Sequence, residues 1–138
     1  LWNGFVLSGD QVMGWATSIV SPPDGDMGAY MASLDRLMPQ AEAVFLPGHG
    51  APVTDAAARI GWLRDHRRMR ERQIRAALEA GESTARSIAA TIYTDTPAPL
   101  LHAAERNVLA HLIDLAERGL ARPEGAIRPD AAFHLSRK

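Results

Sequence analysis

Two side chains in this sequence have the type and setting to hold a metal ion, Asp10 and His49, 39 residues apart. Each follows an apolar, β-prone run that stops at glycine: Phe5-Val6-Leu7 leads into Ser8-Gly9-Asp10, and Ala43-Val44-Phe45-Leu46 into Pro47-Gly48-His49-Gly50. Glycine lets the backbone turn sharply at a strand end, so both side chains can stand at the same rim of a sheet. Carboxylate and imidazole suit zinc, iron or manganese, and strand-end loops commonly carry function. Each piece has a plainer reading too. Asp after a strand forms turns, and Pro-Gly-His-Gly can be a simple turn.

The elements that would position the pair follow from pattern. Two short strands are predicted, Phe5 to Asp10 and Ile19-Val20, with Ser21-Pro22-Pro23-Asp24-Gly25-Asp26 as a loop after them. Asp26 is placed to cap a helix built on Met27, Tyr30, Met31, Leu34, Leu37 and Met38, ended by Pro39. Ala43 to Leu46 is then a buried strand feeding the His49 turn. A long helix is expected from Thr54 or Asp55 to about Ala80, with Gly81 closing it. Trp2 and Trp15 are assigned to core or lid packing ahead of substrate stacking.

Between Arg64 and Arg75 lie six arginines against Asp65 and Glu71. They could bind phosphates of RNA or coenzyme A, or form a solvated face on which Glu71 pairs with Arg75. Further on, Ser83 or Thr84 caps a short helix through Ile92, and Thr94-Asp95-Thr96-Pro97 breaks it. A second helix runs from about Ala98 to Arg118, with Leu101, Ala104, Val108, Leu112 and Leu115 inward and Gly119 as stop. Leu120 to Arg122 and Ala131 to Leu135 read as strands around Pro123-Glu124-Gly125, giving a winged helix-turn-helix. Its recognition-position helix carries His102, Glu105, Arg106, Asp114, Glu117 and Arg118, close to neutral, which argues against sequence-specific DNA binding. His66, His102, His111 and His134 lack the clustered partners of a metal site.

Ser8-Gly9-Asp10, Gly14, Ser21-Pro22-Pro23, Tyr30-Met31-x-Ser33-Leu34 and Leu46-Pro47-Gly48-His49-Gly50 together resemble the C-terminal half of the metallo-β-lactamase-fold hydrolases. The similarity runs to the chain end and is nearest to the subgroup called β-lactamase-like protein two, which carries a winged helix. His66-Arg67-x-x-Arg70-Glu71 resembles the same subgroup, without a role attached. The resemblance implies an α/β fold: the C-terminal half of an αββα sandwich over residues 1–53, a connecting helix over 54–80, and an α+β winged helix over 81–138. It implies that Asp10 bridges two divalent metal ions, zinc first, and that His49 binds one. The family's upstream His-x-His-x-Asp-His motif occurs nowhere in the 138 residues. With Leu1 falling mid-pattern, the expectation is the C-terminal portion of a longer hydrolase, inactive alone.

The expected substrate of the parent is a thioester or related ester, with endoribonuclease activity or a non-enzymatic winged-helix module as rivals. The half-sandwich would need its upstream half or a second copy to cover it. The chain is 46% hydrophobic, with net charge -1 and no cysteine. It therefore has material for a core, no global pull toward nucleic acid or membrane, and no thiolate chemistry. Its basic residues are nearly all arginine, which points to a GC-rich bacterial source, and a cytoplasmic location is expected.

Overall fold

The computed structural model describes residues 4–136, so the assignment of Trp2 lies outside the described residues. Strand β1 (Phe5–Gly9) alternates outward Phe5 and Leu7 with buried Val6 and Ser8, the period of a half-covered strand. Helix α1 (Met27–Leu37) begins directly after Asp26, and a 3-10 turn over Met38–Gln40 carries Pro39. Strand β2 (Val44–Pro47) then pairs with β1 in parallel, Val6 opposite Phe45 and Leu7 opposite Leu46. A parallel pair requires a crossover, which α1 provides.

Helix α2 (Ala56–Glu79) starts where the Asp55 carboxylate accepts the Ala58 N–H at 3.0 Å. It ends at Gly81, φ +103°, with the Glu82 N–H returning to the Ala77 carbonyl in a Schellman-type closure. Helix α3 (Ala85–Ile92) is opened by a capping box between Thr84 and Ser87. Helix α4 (Ala98–Glu117) closes on Gly119, φ +71°. Strands β3 (Ala121–Pro123) and β4 (Phe133–Leu135) form the antiparallel wing.

The chain divides into two compact units, residues 1–18 with 28–68, and residues 19–27 with 69–138. The first unit buries Val6, Val12, Tyr30, Leu34, Phe45, Ile60 and Leu63. In the second, the core is Ile74, Leu78, Ile88, Val108, Leu112, Leu115 and Phe133, drawn from the end of α2, both later helices and the wing. The wing is anchored through the Phe133 N–H to the Ser83 carbonyl at 2.7 Å and a bridge between Thr84 and Ala132.

Three expectations are corrected. Ile19-Val20 is not a strand: the Val20 N–H is taken by the Asn107 side chain at 3.2 Å, and Pro22-Pro23 just beyond lack the donors a ladder needs. Leu101 is 38% exposed, because the buried stripe of α4 begins only at Ala104. Glu71 does not pair with Arg75. Arg118 Nη2 lies 2.8 Å from both Glu71 Oε2 and Asp114 Oδ2, one amino group serving two carboxylates. Burial pushes the Asp114 carboxyl up from its ordinary value, with the Arg118 charge opposing. Among the described residues no helix is long and apolar enough to cross a membrane.

Candidate metal centre

Asp10 follows β1 and His49 follows β2, so parallel pairing of the two strands brings their ends side by side. The Gly48 N–H donates to the Gly9 carbonyl at 3.0 Å and locks the two ends together. Beyond the turn, Val53 returns to exchange both backbone hydrogen bonds with Phe45, 2.8 and 2.9 Å, closing residues 46–52 into a loop with fixed ends. The outcome is a contact between the two side chains. His49 Nδ1 lies 2.7 Å from Asp10 Oδ1. An ionised carboxylate only accepts, so Nδ1–H is the donor, and neutral His49 keeps its Nε2 lone pair for a cation. The pair faces solvent, with side chains 69% and 58% exposed.

The two glycines around His49 have separate reasons. A Cβ on Gly48 would come within 2.9 Å of Asp10 Oδ1, so the carboxylate reaches His49 only across a bare Cα. Gly50 has φ +93°, and a Cβ there would meet the Trp15 indole at 2.6 Å. Trp15 is not in a core; it is 71% exposed, and its Nε1–H donates to the His49 carbonyl at 3.2 Å. Together with Pro52, Val53, Thr54, Asp55 and Arg59 it lines a groove of about 400 Å³. If Asp10 and His49 hold a divalent ion, Gly50→Ala is expected to weaken its binding about tenfold or more, the scale of lost ligand support. Isothermal titration reads this directly, and unchanged affinity would remove the Trp15–Gly50 contact from the site.

The segment after Asp10 is fastened to α2. Arg59 donates to the carbonyls of Met13 at 2.6 Å and Ala16 at 2.7 Å. Burial pulls its guanidinium below the ordinary arginine value, with Tyr30 opposing. Arg67, 2% exposed, donates to the Ser18 carbonyl, and the Ser18 hydroxyl donates to the carbonyls of Asp10 and Gln11. Neither sequence reading of the Arg64 to Arg75 segment anticipates this. Arg64 pairs with Asp35 at 3.0 Å, Arg67 is buried, and Arg70 lies over the Tyr93 ring and bonds the Ile92 carbonyl and Gln73. Three arginines at three-residue spacing thus face protein, leaving Arg68, Arg72 and Arg75 exposed. Sequence reasoning missed the roles of Trp15, Ser18, Arg59 and Arg67, whose partners lie 34 to 49 residues away or act through main-chain carbonyls.

Three other histidines have settings of their own. His66 stacks on Trp62, His111 is buried in α4, and His134 meets Glu124 at 2.5 Å. Asp10 and His49 fit a divalent cation in kind, one carboxylate and one imidazole, and fall short in number. Among the described residues no three His, Asp or Glu side chains stand together as a metal-binding group.

Comparison with known proteins bears on the family and the fold. Residues 84–128 match the β-lactamase-associated winged-helix domain. The β-lactamase-like protein 2 homologue of Drosophila melanogaster is 30% identical over 123 residues, 87% of this chain and 41% of that protein. A β-lactamase domain protein from Burkholderia ambifaria superposes with a TM-score of 0.84 at 25% identity, covering 96% of this chain and 42% of that one. A metallo-β-lactamase family protein from Thermus thermophilus gives 0.77 at 24% identity over the same shares. This chain belongs to the β-lactamase-like protein 2 subgroup of the metallo-β-lactamase fold. It corresponds to the subgroup's C-terminal part, and spans about two fifths of the length of that fly relative. An atrochrysone carboxyl ACP thioesterase from Aspergillus chevalieri is 37% identical over 73 residues, 53% of this chain and 22% of that protein.

Proposed function

We propose that the protein to which this chain belongs is a metal-dependent hydrolase acting on a thioester or related ester. The observation that carries the reading is the contact of Asp10 with His49 at the paired ends of two parallel strands, both side chains open to solvent. Asp10 and His49 would be among the residues holding the divalent ions, zinc first, and the bound metal would supply a water of lowered pKa and a Lewis acid for the scissile carbonyl. Within the chain, His49 Nδ1–H donates a hydrogen bond to Asp10 Oδ1, which fixes the ring's orientation. Trp15, bonded to the His49 carbonyl, lines with Pro52 and Val53 an apolar groove suited to the acyl portion of an ester. The fungal relative named as an acyl carrier protein thioesterase supports the same substrate class.

The winged helix is read as a packing module rather than a DNA reader. Arg118 at the end of its recognition-position helix is spent on Glu71 and Asp114, and Arg86 pairs loosely with Glu105 at 3.6 Å. The outward residues of β1, Phe5 at 40% and Leu7 at 79% exposure, form an apolar strand face suited to the other half of the sandwich or to a second copy. With two donors only, residues 1–138 alone are expected to be inactive.

The full-length protein loaded with zinc tests the assignment when offered acyl-coenzyme A in one arm and labelled single-stranded RNA in the other. Thioester turnover abolished by a chelator and restored by metal is expected. Cleavage of RNA without thioester turnover would replace ester hydrolysis by endoribonuclease activity, and metal-independent behaviour in both arms would leave a non-enzymatic module.

A further inference from the structure

Arg59 and Arg67 lie eight residues apart on α2, a spacing that puts both on one face. Both spend donors on main-chain carbonyls of the segment that follows Asp10. Arg59 uses Nε on Met13 and Nη2 on Ala16, and so brackets Gly14-Trp15 from both sides. A planar guanidinium sets two acceptors at once, which a lysine ammonium on a flexible stem does not. Its own position is fixed by the Trp62 ring, 4.5 Å below the guanidinium carbon.

The bracketed residue is the one that touches His49. Trp15 is 71% exposed, so no core holds its ring; what restrains it are the fixed backbone on either side and the 3.2 Å bond to the His49 carbonyl. Arg67 stands at the other end of the segment. It bonds the Ser18 carbonyl, and Ser18 carries the constraint to the carbonyl of Asp10 through its hydroxyl. The Arg67 guanidinium also lies over the Tyr30 ring, 5.2 Å from its centroid. The site is 2% exposed, and an apolar residue of similar volume is often as stabilising as a buried charge. A buried guanidinium is useful there if a particular carbonyl must be held in place.

We infer that Arg59 and Arg67 are positioning residues for the metal-binding pair, Arg59 acting on His49 through Trp15 and Arg67 acting on Asp10 through Ser18. This rests on the reading of Asp10 and His49 as metal ligands. It gives Arg67 of the His66-Arg67-x-x-Arg70-Glu71 segment a role in the site. It also places the support of both ligands on a single helix, whose packing through Ile60 and Leu63 is independent of the metal.

The test is zinc affinity of the full-length protein, measured by competition with a chromophoric chelator. Arg59→Met and Trp15→Phe are each expected to weaken zinc about tenfold. The double variant is expected to be no weaker than the worse single one, because both cut the same connection. Arg59→Lys should not restore affinity. Ser18→Ala reads the second branch with little risk to folding, and Arg67→Lys should match it. Arg64→Met, which loses the pair with Asp35 and no bond to the segment after Asp10, is the control: its melting temperature falls and its zinc affinity stays. Additive losses in the cycle, wild-type affinity in Arg59→Met and Ser18→Ala, or an equal loss in Arg64→Met would overturn the inference. His49→Ala separates the two levels. If it weakens zinc while the positioning variants do not, only the inference falls; if it too leaves zinc unchanged, the metal-site reading falls with it.

Discussion

His49→Ala and Asp10→Ala in the full-length protein are expected to abolish hydrolysis and to lower bound metal below the wild-type stoichiometry. The loss should exceed the roughly 10- to 100-fold typical of supporting residues, because these two side chains would be ligands themselves. Asp10→Asn sharpens the test. An amide oxygen can still accept from His49 Nδ1 across the 2.7 Å contact, so the local geometry survives while the negative charge does not. If charge is what the site needs, Asp10→Asn loses metal almost as completely as Asp10→Ala. If Asp10 merely shapes the turn, Asp10→Asn stays active and metal-replete. Elemental analysis together with turnover distinguishes the cases, and full metal content with intact activity in all three variants would remove the site.

Much of the framework was readable from short-range signals. Thr54-Asp55 and Ser83-Thr84 announced the starts of α2 and α3, with Asp55 and Thr84 proving the caps, because an N-cap is a local bond formed within three residues. Gly81 and Gly119 announced helix ends because positive φ is a property of one residue. Asp10 and His49 could be paired in advance because each follows a strand-like run, and parallel pairing with a helical crossover aligns such ends. What sequence pattern does not carry is the choice among chemically equal partners. Ile19-Val20 resembles a strand until Asn107, 87 residues away, takes the Val20 N–H. Arg67 and Arg68 are neighbours of one type, yet Arg67 is buried against the Ser18 carbonyl and Arg68 makes a loose surface pair with Asp65. The helical period says that they differ in direction, and only the packed loop says which direction is inside. Trp15 misled for the opposite reason. Large aromatics are mostly packing residues, and here a bond from the ring nitrogen, rather than burial, holds the indole in place.

Phe133→Ala is expected to destabilise the second unit strongly while leaving the first folded. Phe133 is fully buried where β4 meets the core of Ile88, Val108, Leu112 and Leu115. Removing a buried phenyl ring typically costs about 3–5 kcal/mol, transfer and cavity together. A unit of this size has roughly 4–12 kcal/mol to lose at about 0.05–0.15 kcal/mol per residue. One side chain thus accounts for about a quarter of its stability at the least and all of it at the worst. The strand cannot readily shift to fill the space, since the Phe133 N–H is bonded to Ser83 at 2.7 Å and Pro123 stands opposite across the wing. Phe133→Leu, which keeps most of the apolar volume, should recover more than half of the loss. Hydrogen exchange on the intact chain gives the readout by region: protection should fall in α3, α4 and the wing, while β1, β2 and α1 keep theirs. A uniform loss across both groups would mean that the two units unfold as one, and unchanged protection throughout would show that Phe133 does not hold the winged helix together.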